Sequence, residues 1–308
     1  MEILILGAGA MGSLFGALLA PLAEVCLFTT NAGHARAINR DGLTFTGMDG
    51  TVRRFGIKAL TDGSHYGGKA DLILLCTKAR STGEAAETAQ RLVAEDGLVL
   101  TLQNGLGNLE RIVAVVGAQR AAAGTTAQAA TLLAPGHVRH AGRGPTVLAA
   151  DLGQLPAITA IAELFNRAGI DTQIVEDSNA LLWSKLIVNV GINALTALLR
   201  VSNGVLAQVP ECERLMAQAV DEAVAVARAL RIDLPCETQQ ERVRQVCAQT
   251  STNRASMLQD ILRGAPTEID VINGAVVAKG FEAGVPTPVN LLLTQLVKAL
   301  EATASHRI

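Results

Sequence analysis

Aromatic side chains are scarce in this chain, with phenylalanine, tyrosine and tryptophan making up only 3% of its 308 residues. Charge of one sign is also missing: 26 Lys and Arg stand against 28 Asp and Glu, for a formal net charge of −2, and the basic residues are scattered. Nucleic-acid binding draws on a basic patch interleaved with aromatics, so no nucleic acid is expected as a partner. A small molecule is. The five cysteines, at 26, 76, 212, 236 and 247, are odd in number, widely spaced and without a Cys-x-x-Cys pair. That excludes a disulfide framework and a zinc knuckle as expectations and fits a reducing cytoplasm. Glu2 stands where a leader would carry basic residues, so the first residues read as a strand rather than a signal peptide. There is no low-complexity linker, and no repeat with a period of roughly 20–50 residues. Residues 180–199 come close to a membrane-spanning length but hold Lys185, Asn189 and Asn193, so they read as a buried helix of a soluble protein, with no membrane partner.

Apolar residues are plentiful, at 49%, and a length prior of roughly 100–200 residues per domain suggests two domains. In the first half, EILILG at 2–7, EVCLF at 24–28, DLILLC at 71–76 and GLVLTLQNG at 97–105 are compact apolar runs, as expected of parallel strands covered on both faces. Asp49-Gly50 within 42–57 signals an inserted hairpin. Further runs at 120–126, 137–142 and 145–150 extend the expectation to one sheet of about eight strands. Beyond Asp171 the pattern turns to helical periodicity over 177–199, 210–231, 237–249, 266–283 and 288–303. Pro210, Pro235, Pro266 and Pro288 mark helix starts. The expected organisation is a doubly wound α/β domain over residues 1–175 and an all-α domain over 176–308.

ILGAGAMGSLFGALLA, residues 5–20, carries a strand, three glycines and a helix in immediate succession. In that context Gly7 serves the tight turn, Gly9 admits the backbone to a pyrophosphate and Gly12 lets helix and strand pack closely. The first helical N–H groups then receive the anion, so Ala8, Ala10 and Met11 join the three glycines as candidate cofactor-binding residues. The second strand ends in Phe28-Thr29-Thr30-Asn31. No acid is present there to accept from a ribose 2′-hydroxyl; no arginine stands at the strand tip either, but Thr29, Thr30, Asn31 and Arg36 with the next helix N-terminus suit a 2′-phosphate, which favours NADP over NAD.

Lys185, Asn189 and Asn193 recur at i, i+4 and i+8 and so share one face of an otherwise apolar helix. A solvated face carries long flexible charges. Two asparagines and one lysine read better as fixed hydrogen-bonding groups at a binding site. A partly desolvated lysine is suited to general acid work, and Glu268 in PTEIDVINGAVV is a candidate carboxylate partner.

These motifs are similar to those of the ketopantoate reductase (2-dehydropantoate 2-reductase) family. The resemblance covers nearly the whole chain, through residues 5–20, CTKA at 76–79, QNGLGN at 103–108, LWSKLIVNVGINALTAL at 182–198 and SMLQDILRGAPTEIDVINGAVV at 256–277. It implies a Rossmann-type N-terminal domain and a helical substrate domain. It also implies NADPH-dependent reduction of ketopantoate to pantoate, for pantothenate and coenzyme A biosynthesis. Lys185 would be the general acid, with Glu268 holding it or contacting the substrate. Lys78 and Asn104 would face the cofactor, Asn104 also the substrate, and Asn189, Asn193, Asn203, Asn253 and Ser256 would bind the substrate. The family usually carries arginine where this chain has Thr30, so NAD stays open beside NADP; likewise GAPT at 264–267 stands where GRxT is common. Reduction of another 2-keto acid, or a non-catalytic NAD(P)-sensing role, are the alternative functions. A homodimer through apolar residues of the helical half is left open.

His137 and His140 form His-x-x-His in a hairpin without a third ligand, so no metal is expected. His34, His65 and His306 read as lone histidines without a paired nucleophile. Trp183 reads as a core anchor, and Cys76 as a small buried hydrophobe.

Overall fold

The computed structural model describes residues 1–151, 153–234 and 238–306; Pro235 and Cys236 lie outside the described residues. The chain divides into two compact units. The first comprises residues 1–103 and 108–181, the second 104–107 and 182–308. The crossover therefore falls six residues beyond Val175, and a four-residue loop of the first half belongs with the second.

The first unit runs β1 (Glu2–Leu6), α1 (Ala10–Leu19), β2 (Glu24–Phe28), α2 (Ala32–Asp41), β3 (Leu43–Thr46), β4 (Val52–Phe55), β5 (Lys58–Leu60), β6 (Ala70–Leu75), α3 (Thr82–Leu92) and β7 (Val93–Thr101). It continues with α4 (Asn108–Val116), β8 (Ala121–Thr126), β9 (Ala129–Ala134), β10 (His137–Gly142), β11 (Thr146–Ala149), α5 (Leu155–Arg167) and β12 (Thr172–Val175). The main sheet has eight strands in the order β12-β11-β8-β7-β6-β1-β2-β5, parallel except where β11 meets β8. Its central strands are apolar on both faces because both are covered. Phe15, Leu19, Ile158 and Phe165 of α1 and α5 pack on one side, and Ala85, Ala86, Ala89, Ile112 and Val116 of α3 and α4 on the other.

The run at 137–142 does not join this sheet, contrary to the expectation of a single one. It becomes β10 of a separate four-stranded sheet, β4-β3-β10-β9, pairing in parallel with β3 (His137↔Thr44, Val138↔Phe45). The hairpin signalled by Asp49-Gly50 is β3–β4, in register Thr46↔Val52.

The second unit is helical: most of α6 (Ser178–Leu199), α7 (Val205–Gln208), α8 (Pro210–Ala229), α9 (Gln239–Gln249), α10 (Ser256–Leu262), α11 (Asn273–Ala283) and α12 (Pro288–Ala302). By length and composition α6 could cross a membrane, but most of it is buried inside the protein, as a core helix is. Trp183, Ile187 and Val190 lie in the core that it forms with α8, α9 and α11. Gly191 allows close approach, since a Cβ there would lie 2.9 Å from Val243 Cγ1 of α9 and 3.0 Å from Val220 Cγ2 of α8.

One helix is shorter than its sequence pattern. Pro266 starts no helix: residues 269–271 form a single 3-10 turn and α11 begins at Asn273. The Val271 carbonyl, which would continue a helical ladder, instead accepts a hydrogen bond from the Leu106 N–H at 3.0 Å.

Candidate active site

In the first unit, the chain order reverses at β1, which has β2 on one side and β6 on the other. Such a switch point opens a crevice beyond the carboxyl ends of the strands, where open α/β sheets bind their ligands. The glycine loop follows β1 there. Gly7 has φ +99°, and a Cβ on it would lie 2.5 Å from the Thr77 backbone nitrogen. A Cβ on Gly12 would lie 2.3 Å from the Gly7 carbonyl oxygen. Gly9 is different, with no atom of the described residues within 4 Å of the space that its Cβ would fill. It is also the N-cap of α1, gives no side-chain cap, and is followed by a first turn with no acid. The open space and the uncapped N–H groups of Ala10, Met11 and Gly12 suit a pyrophosphate. A nicotinamide dinucleotide therefore fits this loop.

At the end of β2, Thr30 and Arg36 are both exposed, as a ribose-reading position requires. Asn31 is already committed as the cap of α2, its Oδ1 accepting from the His34 N–H at 3.0 Å.

The loops after β6 and β7 are tied by a buried polar network that the sequence reading did not single out. Gln103 Nε2 donates to the Thr77 carbonyl and to Thr82 Oγ1, both at 2.9 Å. Thr101 Oγ1 donates to Gln103 Oε1 at 2.9 Å, and Thr82 Oγ1 to Asn108 Oδ1 at 2.8 Å. These bonds hold the segment around Lys78, which is half-buried at the start of a 3-10 turn. A glutamine just beyond an apolar strand was the only sequence signal for them.

His34 has a hydroxyl partner after all, Ser13 Oγ at 3.1 Å from Nε2. This is not a nucleophile pair. The Gly136 N–H donates to His34 Nδ1 at 2.9 Å, so Nε2 carries the proton and cannot accept one from Ser13. Burial lowers the His34 pKa and keeps the ring neutral. His137 and His140 are held by Thr46 and Gln128, each at 2.8 Å. Burial pushes the Cys76 thiol up to about 12, which leaves it a poor nucleophile.

In the second unit, Lys185 is half-buried on α6 and Asn189 and Asn193 are buried. Asn189 is 9% exposed, and its Nδ2 finds no hydrogen-bond partner among the described residues. Burial, reinforced by the positive charge of Arg242 on α9, lowers the Lys185 pKa. Asn203 and Asn253 come together: the Asn203 N–H donates to the Asn253 carbonyl at 3.0 Å. Asn203 Nδ2 donates to Thr250 Oγ1 at 2.9 Å, while its buried Oδ1 has no partner among the described residues. Ser256 is exposed at the start of α10. Glu268 is half-buried just ahead of the 269–271 turn.

Asn104 belongs to this unit through the docking of residues 104–107 on that same turn. Gly105 has φ +84°, and a Cβ on it would lie 2.4 Å from the Val271 carbonyl oxygen. Gly105→Ala is expected to cost about 1–3 kcal/mol through backbone strain and overpacking. It should also depress turnover, because Asn104 and Glu268 flank the displaced contact; thermal melting and steady-state kinetics on one preparation check both.

A glycine loop of this geometry at the switch point of a doubly wound sheet defines a Rossmann-type dinucleotide-binding protein. The family model described as ketopantoate reductase PanE/ApbA matches residues 3–152, and its C-terminal counterpart matches residues 177–301. The chain belongs to the ketopantoate reductase family, and so to the oxidoreductases. It is 38% identical to the 2-dehydropantoate 2-reductase of Halobacterium salinarum, over 97% of this chain and 98% of that one. With the enzyme of the same name from Pyrococcus horikoshii it shares 39% identity, over 98% of each. Among solved structures it resembles a PanE/ApbA family ketopantoate reductase from Ralstonia eutropha, with TM-score 0.90, 33% identity and coverage of 99% and 100%. It equally resembles D-mandelate dehydrogenase with NADH and anilino(oxo)acetate, with TM-score 0.92, 30% identity and the same coverage.

Proposed function

We propose that the protein reduces ketopantoate to pantoate with NADPH, using Lys185 as general acid. The observation that carries this reading is the polar row on α6: a lysine with lowered proton affinity, and two buried asparagines on the same face of a core helix. When bound, the reduced nicotinamide supplies the hydride to the keto carbon. The keto oxygen then gains negative charge, and the Lys185 ammonium stabilises it and delivers a proton from Nζ. A lysine held below its ordinary proton affinity gives up that proton more readily than a solvated one. Asn189, Asn193, Asn203, Asn253 and Ser256 bind and orient the substrate, and the unpartnered Asn189 Nδ2 and Asn203 Oδ1 supply one donor and one acceptor. Asn104 and Glu268, carried on adjoining backbone, position the reacting groups. Gly7 to Gly12 and Lys78 hold the dinucleotide, with Thr30 and Arg36 at its ribose phosphate.

The likeness to an NADH-bound D-mandelate dehydrogenase favours one second reading, NADH-dependent reduction of another 2-keto acid on the same scaffold. Loss of reduced-nicotinamide absorbance, followed with NADPH and NADH against ketopantoate and phenylglyoxylate, separates the two. The highest kcat/KM is expected with ketopantoate and NADPH. A preference for phenylglyoxylate and NADH moves the assignment to the second reading. Tight dinucleotide binding without turnover of any 2-keto acid overturns both and leaves an NAD(P)-sensing protein.

A further inference from the structure

One buried amide of the helical unit has bonds that the proposed reaction does not yet account for. Asn273, the first residue of α11, is fully buried. Its Nδ2 donates to Asn290 Oδ1 of α12 at 2.9 Å and to the Val190 carbonyl of α6 at 3.4 Å. Asn290 Nδ2 in turn donates to the Ala219 carbonyl of α8 at 3.0 Å and to Glu222 Oε2 at 2.8 Å. These partners fix both amides. A carbonyl only accepts, so Ala219 turns the Asn290 nitrogen towards itself and the Asn290 oxygen towards Asn273. Asn273 then meets two acceptors with its own nitrogen, and its buried Oδ1 has no partner among the described residues. A buried acceptor left unmatched costs free energy that an apolar side chain in the same place would avoid.

Asn273 joins two parts of the proposed site. Val190 and Asn193 are three positions apart and so are neighbours on the surface of α6, which puts the Asn273 bond at the flank of the row of Lys185, Asn189 and Asn193. On its other side Asn273 continues the turn that starts at Glu268. That turn is stiff: the Val271 N–H donates to the Glu268 carbonyl at 3.2 Å and the Ile272 N–H to the Ile269 carbonyl at 3.3 Å. Leu106 binds its Val271 carbonyl, and Glu301 Oε1 of α12 accepts from the Thr267 N–H at 2.6 Å. Resting on the function proposed above, we propose that Asn273 is a positioning residue for the reduction, whose amide sets the turn carrying Glu268, with the 104–107 loop docked on it, against the row on α6. It serves through that turn and not by contact with the substrate. Loss of the amide lets the turn shift relative to α6 and misaligns the reacting groups while removing none of them, and a misplacement of about 1 Å is enough to cost about a hundredfold in rate.

The test compares Asn273→Leu with Glu222→Gln in the full chain, by steady-state kinetics with the 2-keto acid, dinucleotide titration and thermal melting. Leucine keeps the branch at the same carbon and removes the bonds. Asn273→Leu should lower kcat about tenfold to a hundredfold. KM for the 2-keto acid should stay within about threefold, because the asparagines on α6 are untouched, and the dinucleotide dissociation constant within about twofold. Asn273→Ala carries the same expectation and serves if leucine is not accommodated. Glu222 accepts from the Val289 and Asn290 N–H groups at 2.8 and 2.9 Å, so Glu222→Gln loosens the same network at α12 and leaves the bond to Val190. It should lower the melting temperature and keep kcat within about twofold of the wild type. Unchanged kcat in both Asn273 variants of an active enzyme, or a loss of kcat as large in Glu222→Gln, assigns Asn273 to folding alone and overturns the positioning role. A wild-type protein that reduces no 2-keto acid overturns the proposed reaction, and this role with it.

Discussion

Lys185→Met is expected to lower kcat by about 10²- to 10⁴-fold, the contribution of a positioned general acid, and at the same time to raise the melting temperature at neutral pH. Both effects come from one cause. Burial and the charge of Arg242 lower the Lys185 pKa from its ordinary 10.5, so the folded chain holds this proton less tightly than the unfolded chain does. Below the lowered pKa both states are protonated and folding bears the whole cost of the confined charge. As pH rises from the lowered value towards 10.5 the folded state sheds the proton first and the cost fades. Methionine keeps the length of the side chain and removes the charge. The gain in melting temperature should accordingly be larger at pH 7 than above pH 10.5, where both states are neutral, with dinucleotide affinity little changed. Calorimetric melting at the two pH values, with kinetics at the lower one, checks the pair. A lower melting temperature at pH 7, or unchanged kcat, would sink the assignment.

The glycine loop yields an equally large effect that divides between two positions. Gly12→Ala places a Cβ 2.3 Å from the Gly7 carbonyl oxygen. The clash is with backbone, which cannot swing away as a side chain can. A stability loss of about 1–3 kcal/mol or more is expected, with loss of dinucleotide binding. Gly9→Ala meets no protein atom within 4 Å, and the backbone of Gly9, at φ −77° and ψ −155°, is extended and open to any residue. Its melting temperature should match the wild type, while the dissociation constant for NADPH or NADH rises at least about tenfold because the methyl group occupies the space left for the pyrophosphate. Dinucleotide titration and thermal melting of both variants separate the outcomes. Unimpaired binding by Gly9→Ala would place the dinucleotide elsewhere.

The strands EILIL, EVCLF and DLILL could be read directly because each, after one exposed acid at its start, is an apolar run covered on both faces. The second sheet could not, since β10 pairs with β3 across about ninety positions, and local patterning does not encode a partner so distant. The short β5, and β9 with its half-exposed face, gave no comparable signal. At 266–283 the apolar periodicity of EIDVINGAVV concealed a break made by a bond to Leu106, whose sequence position gave no hint of it. The row on α6 was visible because polar groups interrupt an apolar helix. The charge that acts on Lys185 was not: in QERVRQVC Arg242 is one more charge on a helix with many. The pairing of His34 with Ser13 was hidden for the same reason, as it depends on the packing of α1 against α2.

The path of the chain has a consequence for inheritance. Residues 104–107 leave a sheet strand, enter the helical unit, place Leu106 in its core and return at Asn108. The two units are therefore not exchangeable modules. A chimaera joined at residue 181, with sheet and helices drawn from different relatives, would carry a foreign Leu106 and Gly105 into a core and a turn shaped for their own. Residues 104–107 therefore have to be inherited with the helical unit in which they pack, although they lie in the sequence of the other.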